Sequence, residues 1–115
     1  MTDTLVVLVL TRDKALVDEL VRKLEAQNIS VYGTTSVDKA IASMTSKQPR
    51  VLVADPGTKE CSRLLEESSG WKSITVVAIA ESDSTAEKAQ QMGINDIIRS
   101  GDAAAVVAAV LSRLL

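Results

Sequence analysis

VLVADPGT, residues Val51 to Thr58, is the stretch on which the reading of this chain turns. Four small or branched apolar residues run into Asp55, and Pro56 and Gly57 then break the chain. A short continuous apolar run of this kind suits a strand covered on both faces, as in a parallel sheet. The carboxylate at its end reads two ways. Asp55 is either a group that receives something, or the N-cap of the next helix with Pro56 at the first helical position.

Working outward, LVVLVL (Leu5 to Leu10) and ITVVAIA (Ile74 to Ala80) are runs of the same type, rich in valine and isoleucine. ISVYGT (Ile29 to Thr34) and NDIIRS (Asn95 to Ser100) are shorter and more polar, which suits strands at the edges of the sheet. Between the runs the period becomes helical. Asp13 to Gln27 sets Leu16, Leu20, Val21 and Leu24 on one face, with Asp18, Glu19, Arg22 and Lys23 opposite. A second helix opens at Ser36, turns Val37, Ala40, Ile41 and Met44 inward, and stops at Pro49. Thr58 to Ser69 reads as a third helix, and Ser84-Thr85-Ala86-Glu87 as the capping box of a fourth, ended by Gly93. Asp102 reads as the N-cap of a fifth that runs to the last residue. Strands and helices in strict alternation, with no residue motif repeating between units, predict right-handed crossovers and a doubly wound α/β sandwich. In such sheets function gathers beyond the carboxyl ends of the central strands, where Asp55 sits.

Composition bounds what that function can be. The 115 residues suit one domain, expected to span residues 1–115. A net charge of −2 offers no basic footprint for nucleic acid. The chain has no histidine and a single cysteine, Cys61, which removes histidine acid–base catalysis, disulfide frameworks and most transition-metal sites. No apolar run approaches the ~20 residues that span a bilayer, and the amino end has no secretion signal, so the expected location is cytoplasmic, away from membranes. Neither G-x-G-x-x-G nor G-x-x-x-x-G-K-[ST] occurs, which disfavours nucleotide binding by a glycine-rich loop.

The loops that follow the strands collect Thr11, Arg12 and Asp13; Asp55, Pro56 and Gly57; Glu81, Ser82 and Asp83; and Arg99, Ser100 and Gly101. With the segments LVVLVLTRDKALVDELVRKLE, PRVLVADPGT and ITVVAIAESDSTAEKAQQMGINDIIRSGD, this order resembles the receiver domain of bacterial response regulators of the chemotaxis-regulator type, over essentially the whole chain. The resemblance implies a flavodoxin-like (βα)5 fold, a parallel five-stranded sheet of strand order 2-1-3-4-5. It places Asp55 where the family carries its phospho-accepting aspartate.

The family's other working parts are replaced. Its Mg²⁺-holding acidic pair falls on Thr11 and Arg12, its phosphoryl-following hydroxyl on Ala80, its switch aromatic on Ile97, and its phosphoryl-contacting lysine on Ser100. The segment between Asp55 and the fourth strand is also several residues shorter than the family's usual length. Aspartyl phosphorylation depends on positioning and charge compensation, and Mg²⁺ on a near-octahedral set of oxygens. Arg12 in place of a carboxylate shifts the local charge by about two units toward positive. The expectation is therefore a pseudo-receiver: not an enzyme, without cofactor or metal, with Thr11, Arg12, Asp13, Ala80, Ile97 and Ser100 forming a degenerate pocket around Asp55. Arg12 either pairs with Asp55 or points into solvent, where an ion pair contributes little. Two other functions stay open: a phosphorylatable receiver with Asp55 as acceptor, and an anion or small-molecule sensor gripping its ligand with Arg12 or Arg99.

The fifth helix carries a further signal. AAAVVAAVL, Ala103 to Leu111, has no polar position, whereas a helix on one side of a sheet normally shows a polar stripe. A core-facing row of Ala103, Val107, Val110 and Leu114 leaves a second row of Ala104, Ala108, Leu111 and Leu115. The expected interface is Ala104, Val107, Ala108, Leu111 and Leu115, joining the domain to a signalling partner or output domain, or to a second copy as a homodimer. In receiver-like proteins the docking face is made by the fourth helix, fifth strand and fifth helix. Cys61 is expected to be packed rather than reactive, and Trp71 to plug the loop before the fourth strand. The ending LSRLL, without a C-terminal glycine cap or polar tail, suits a domain excised from a longer signalling protein as well as a stand-alone chain.

Overall fold

The computed structural model describes residues 5–47, 49–57, 61–68, 74–94, 96–99 and 102–114. Its elements alternate without exception: β1 (Val6–Leu10), α1 (Lys14–Glu25), β2 (Ser30–Thr34), α2 (Val37–Lys47), β3 (Val51–Ala54), α3 (Cys61–Ser68), β4 (Thr75–Ile79), α4 (Asp83–Gln91), β5 (Asp96–Ile98) and α5 (Ala103–Leu114). The five strands are all parallel and form one sheet in the order β2-β1-β3-β4-β5, the flavodoxin-like (βα)5 arrangement. The two more polar runs are the two edges, as their composition requires.

The period of two along each strand divides the core into two layers. Val7, Val9, Val53 and Val77 point to one face, where Val17, Leu20 and Leu24 of α1 and Val106, Val110 and Leu114 of α5 cover them. Leu8, Leu10, Leu52 and Ala54 point to the other, against Val37, Ala40 and Met44 of α2 and Cys61 and Leu64 of α3. Further along that face, α4 sets Ala89 against Ala78 and Ile94. Both faces of β1 and β3 are covered, which is why their sequences show no alternation.

Several local expectations are corrected. Val17, not Leu16 or Val21, completes the buried row of α1; the latter two are half-buried. Helix α4 is capped by Ser82, whose hydroxyl accepts the Thr85 N–H, so it begins ahead of the Ser84 capping box. Gly93, at φ 88°, does follow its end. On α5, Val106 rather than Val107 belongs to the buried row Ala103, Val106, Val110 and Leu114, and Val107 is half-buried. With only alanine and valine in that stretch, no polar residue marks which way the helix is rotated. Asp102 accepts the Ala105 N–H and starts α5 as expected. Trp71, Ser100, Gly101 and Leu115 lie outside the described residues, as do Thr58 and Ser69, the expected ends of α3.

The register carries the strand ends to a common level. Leu10 pairs with Ala54, and Ala54 with Ala78. The ladder continues one residue further: the Asp55 N–H donates to the Leu10 carbonyl at 2.9 Å, and the Thr11 N–H to that of Thr34 at 3.3 Å. That extra step sets Asp55 beside Thr11.

Candidate functional site

At the carboxyl edge of the sheet lies a cavity of about 350 Å³, lined among others by Thr11, Arg12, Asp13, Asp55, Glu81 and Ser82. Three loops supply these residues, after β1, β3 and β4. Their meeting is a consequence of the register just described.

Asp55 is held from three sides by its own chain. Thr11, 1% exposed, donates its hydroxyl to Asp55 Oδ2 at 3.1 Å while its Oγ1 accepts the Asp13 N–H at 3.2 Å. The Gly57 N–H donates to Asp55 Oδ1 at 2.9 Å. Arg12 Nε stands 3.7 Å from Oδ2. The reading of Asp55 as an N-cap with Pro56 first in the helix is corrected: Pro56 and Gly57 form a turn, which the carboxylate closes through the Gly57 N–H. Aspartate favours this two-residue hydrogen bond to the backbone, and the same bond would serve a cap or a turn. Sequence alone does not separate them.

Gly57, expected among the strand-end groups, has a role that its sequence did not assign. A Cβ at this position would stand 3.0 Å from Arg12 Cζ and 3.2 Å from Asp55 Oδ1. The bare backbone therefore leaves the room in which the guanidinium and the carboxylate come together. Its signal was the Asp-Pro-Gly sequence, read as a chain break and not as a close approach.

The other expected pocket residues are placed as follows. Asp13 caps α1, its Oδ1 accepting the N–H groups of Ala15 at 3.0 Å and Leu16 at 3.2 Å. Ala80 is fully buried, with its N–H on the Ile98 carbonyl at 2.9 Å. Ile97 is half-buried on β5 and packs against the Ala78, Ala89 and Ile94 cluster. Arg99 turns to Asp83 at the start of α4, at 2.6 Å, and does not line the cavity. Ser82 and Thr85, which do line it, also hydrogen-bond to each other at 2.9 Å. Both arginines expected to grip an anion thus have carboxylate partners, and among the described residues the cavity wall carries Asp13, Asp55 and Glu81 against Arg12.

Cys61 lies buried at the head of α3, and burial, with the negative charge of Asp55 second, pushes its thiol up to about 11. At neutral pH it is a packed thiol and a poor nucleophile.

Two other concavities differ in character. A groove of about 890 Å³ follows the open edge of β2, with Asp18, Arg22, Glu25 and Lys39 in its walls. It is larger than the cavity at Asp55 and runs along β2 as far as its last residue, Thr34. A groove of about 370 Å³ lies between α5 and the end of α1, lined by Ala104, Val107, Ala108 and Leu111 facing Lys23, Ala26 and Gln27. Four of the five expected interface residues line it, beside α1 and not beside α4. On the far side of α5, Arg113 is engaged by both carboxylate oxygens of Asp96 on β5 and donates to the Ala109 carbonyl.

No protein-family profile matches the chain, and no curated protein matches it in sequence. Solved structures match it over nearly its full length. It is similar to HP1043, an orphan response regulator of H. pylori, at 19% identity and TM-score 0.78, covering 96% of this chain and 97% of that one. Similarity to the chemotaxis response regulator CheY4 of Vibrio cholerae is 12% in identity with TM-score 0.79, over 98% of this chain and all of the other. A CheY-like receiver domain protein from Methanospirillum hungatei JF-1 gives 13% and 0.80, over 97% and 94%. The fold is the response-regulator receiver fold.

Proposed function

We propose that this chain is a pseudo-receiver: a receiver-fold module of a two-component-type signalling protein, cytoplasmic and without catalytic activity of its own. It works through protein contact and not through Mg²⁺-dependent phosphorylation. The observation that carries this reading is the Arg12 guanidinium beside Asp55, over Gly57, where a phosphorylatable site needs a divalent cation.

The remaining donors fit that cation poorly. Mg²⁺ takes near-octahedral oxygen ligands and usually binds through one or two carboxylates. Here Thr11 offers a hydroxyl already donated to Asp55, Asp13 is committed to capping α1, and a fixed positive charge stands beside the acceptor oxygen. Among the described residues no three histidine, cysteine or acidic groups are placed to hold a metal ion. Ala80 brings a methyl where the family pattern has a hydroxyl. Asp55 then serves to tie the β1–α1 and β3–α3 loops together. With the polar site closed, signalling falls to the uncharged face of α5, which contacts an output domain, a signalling protein or a second copy.

Acetyl phosphate with Mg²⁺ should leave the mass of the intact protein unchanged, and beryllofluoride should leave the amide resonances of Thr11, Asp55 and Ser82 unmoved. A mass increase that Asp55→Asn abolishes would instead make the domain a working phosphoacceptor. Arg12→Asp, which places a second carboxylate beside Asp13, should make those resonances respond to Mg²⁺.

A further inference from the structure

We infer that two copies of this chain join at the open edge of β2, each β2 pairing antiparallel with the other about a twofold axis through Tyr32. The two sheets then become one. This face is not the α5 contact, and the inference does not rest on the reading of the Asp55 site.

The first observation is a set of unfilled backbone valences. The Ser30 N–H donates to the Leu5 carbonyl, and the Thr34 carbonyl accepts from the Thr11 N–H. Alternation along the strand therefore turns the backbone groups of Ser30, Tyr32 and Thr34 toward β1, and those of Val31 and Gly33 outward. β2 is the last strand of the sheet, and neither Val31 nor Gly33 makes an outward backbone hydrogen bond to another described residue. The groove of about 890 Å³ runs along that side and leaves room for a strand. An open edge is ordinarily blunted by charge, proline or shortness. The opposite edge follows that rule: β5 has three residues, and its Asp96 is tied to Arg113. β2 has five residues, SVYGT, with neither charge nor proline.

The second observation is that the register suits a second copy. In an antiparallel pair, opposite residues exchange both N–H···O bonds only where both turn outward. An axis through Tyr32 sets Val31 opposite Gly33 of the second copy and Gly33 opposite Val31, so every outward group is used. An axis through Val31 or Gly33 would set the other of the two against a residue beyond the strand. Opposite residues share a face, so half-buried Val31 comes to exposed Gly33, where β2 offers no side chain of its own. Apolar surface is already there: a Cβ at Gly33 would stand 2.5 Å from Val17 Cγ1 and 2.9 Å from Val21 Cγ2. Tyr32 meets its own copy at the close, non-hydrogen-bonded position, an arrangement that aromatic pairs stabilise.

The third observation is charge. Gly33 lies level with Val17 and Val21, and α1 runs opposite in direction to β2. Tyr32, about 3.3 Å back along the strand, is thus level with a point about two residues further along α1, near Val21. The twofold then lays α1 antiparallel to α1 of the second copy, and Arg22 of each comes toward Asp18 of the other. Both are exposed, both line the groove, and neither forms an ion pair with another described residue of its own chain. The second copy supplies to each the opposite charge that its own chain does not.

The test uses the intact chain. Sedimentation over a concentration series at low salt should show a monomer–dimer equilibrium. Amide exchange read by NMR should show the Val31 and Gly33 N–H groups slowing by about tenfold or more as the dimer fills, with those of Ser30 and Tyr32 protected throughout. Val31→Pro removes one outward donor and no bond to β1, a place where an edge strand tolerates proline, and should weaken the dimer by more than about tenfold. Asp18→Arg, at an exposed helical position, sets arginine against arginine and should weaken it by about tenfold; adding Arg22→Asp restores opposite charges and should recover most of the affinity. Circular-dichroism melts establish which variants stay folded, and the charge exchange decides the matter if Val31→Pro does not. A wild-type chain that stays monomeric overturns the inference and leaves the edge to a strand of another protein. So does a dimer in which the Val31 and Gly33 amides exchange as fast as in the monomer, a charge exchange no better than Asp18→Arg, or a dimer broken by Ala108→Asp and not by the β2 and α1 variants.

Discussion

At the carboxyl end of β3 one carboxylate is engaged by a hydroxyl, a backbone N–H and a guanidinium, all from its own chain. On α5, Ala104, Ala108 and Leu111 line an open groove to which the helix itself brings no polar side-chain atom, opposite Lys23 and Gln27 at the end of α1. The difference is one of saturation. Hydrogen-bonding groups have few, directed valences, and the fold can fill them locally; apolar surface has no valence and gains only by being covered. On the proposed reading, a receiver fold whose polar site is filled from within has its unspent interaction capacity on its apolar face.

The contrast can be broken most sharply on α5 itself. Val106→Asp buries a charge at a fully covered position and should cost about 4 kcal/mol or more, enough to unfold the domain in a denaturant melt. Ala108→Asp, on the exposed side, should cost less than about 1 kcal/mol in dilute monomer. Equal costs would mean that the helix is rotated otherwise. Next comes Thr11→Val, which keeps the shape and removes the hydroxyl. It should cost about 1–2 kcal/mol, because Asp55 loses a donor in a part-buried setting, and chemical denaturation reads this directly.

Asp96 tests a second filled polar site, on the β5 side of α5. Its hydrogen bonds from Arg113 hold its carboxyl below the ordinary carboxylate range. The folded pKa being the lower one, the stabilisation is fully present above about pH 4 and is lost as the pH falls through the folded value. Asp96→Asn should therefore be less stable than wild type by about 1 kcal/mol at neutral pH, with the gap closing in acid. A gap independent of pH would assign the loss to packing. The smallest effect is expected for Arg12→Gln. Arg12 is 71% exposed, so water screens its pairing with Asp55, and the change should stay under about 1 kcal/mol and shrink further in salt. On the proposed reading, Arg12 matters for what it keeps out of the pocket more than for what it adds to stability.

Strands and their edges were legible because burial on both faces writes itself as unbroken valine and leucine runs, as at Val51–Ala54, and partial burial as SVYGT and DII. Helix starts were less so. Ser82 and Ser84 are both competent caps, and their separation in sequence carries no energy that local chemistry distinguishes; where β4 ends decides between them. The same holds for the rotation of α5, where alanine and valine on every side leave Val106 and Val107 equivalent until α1 and the sheet are packed against it.

By itself, then, the amino-acid sequence determined the alternation of elements, the parallel sheet, and the residue types at each strand end, since these follow from periodicity and from which groups water will accept. The strand-end pattern and the resemblance already gathered Thr11, Arg12 and Gly57 around Asp55; only the tertiary structure decided that a hydroxyl, a guanidinium and a backbone N–H from them engage its carboxylate, and that the exposed alanines of α5 lie beside α1. Both depend on register and helix rotation, quantities set by contacts between residues far apart in the chain, to which local sequence pattern is blind.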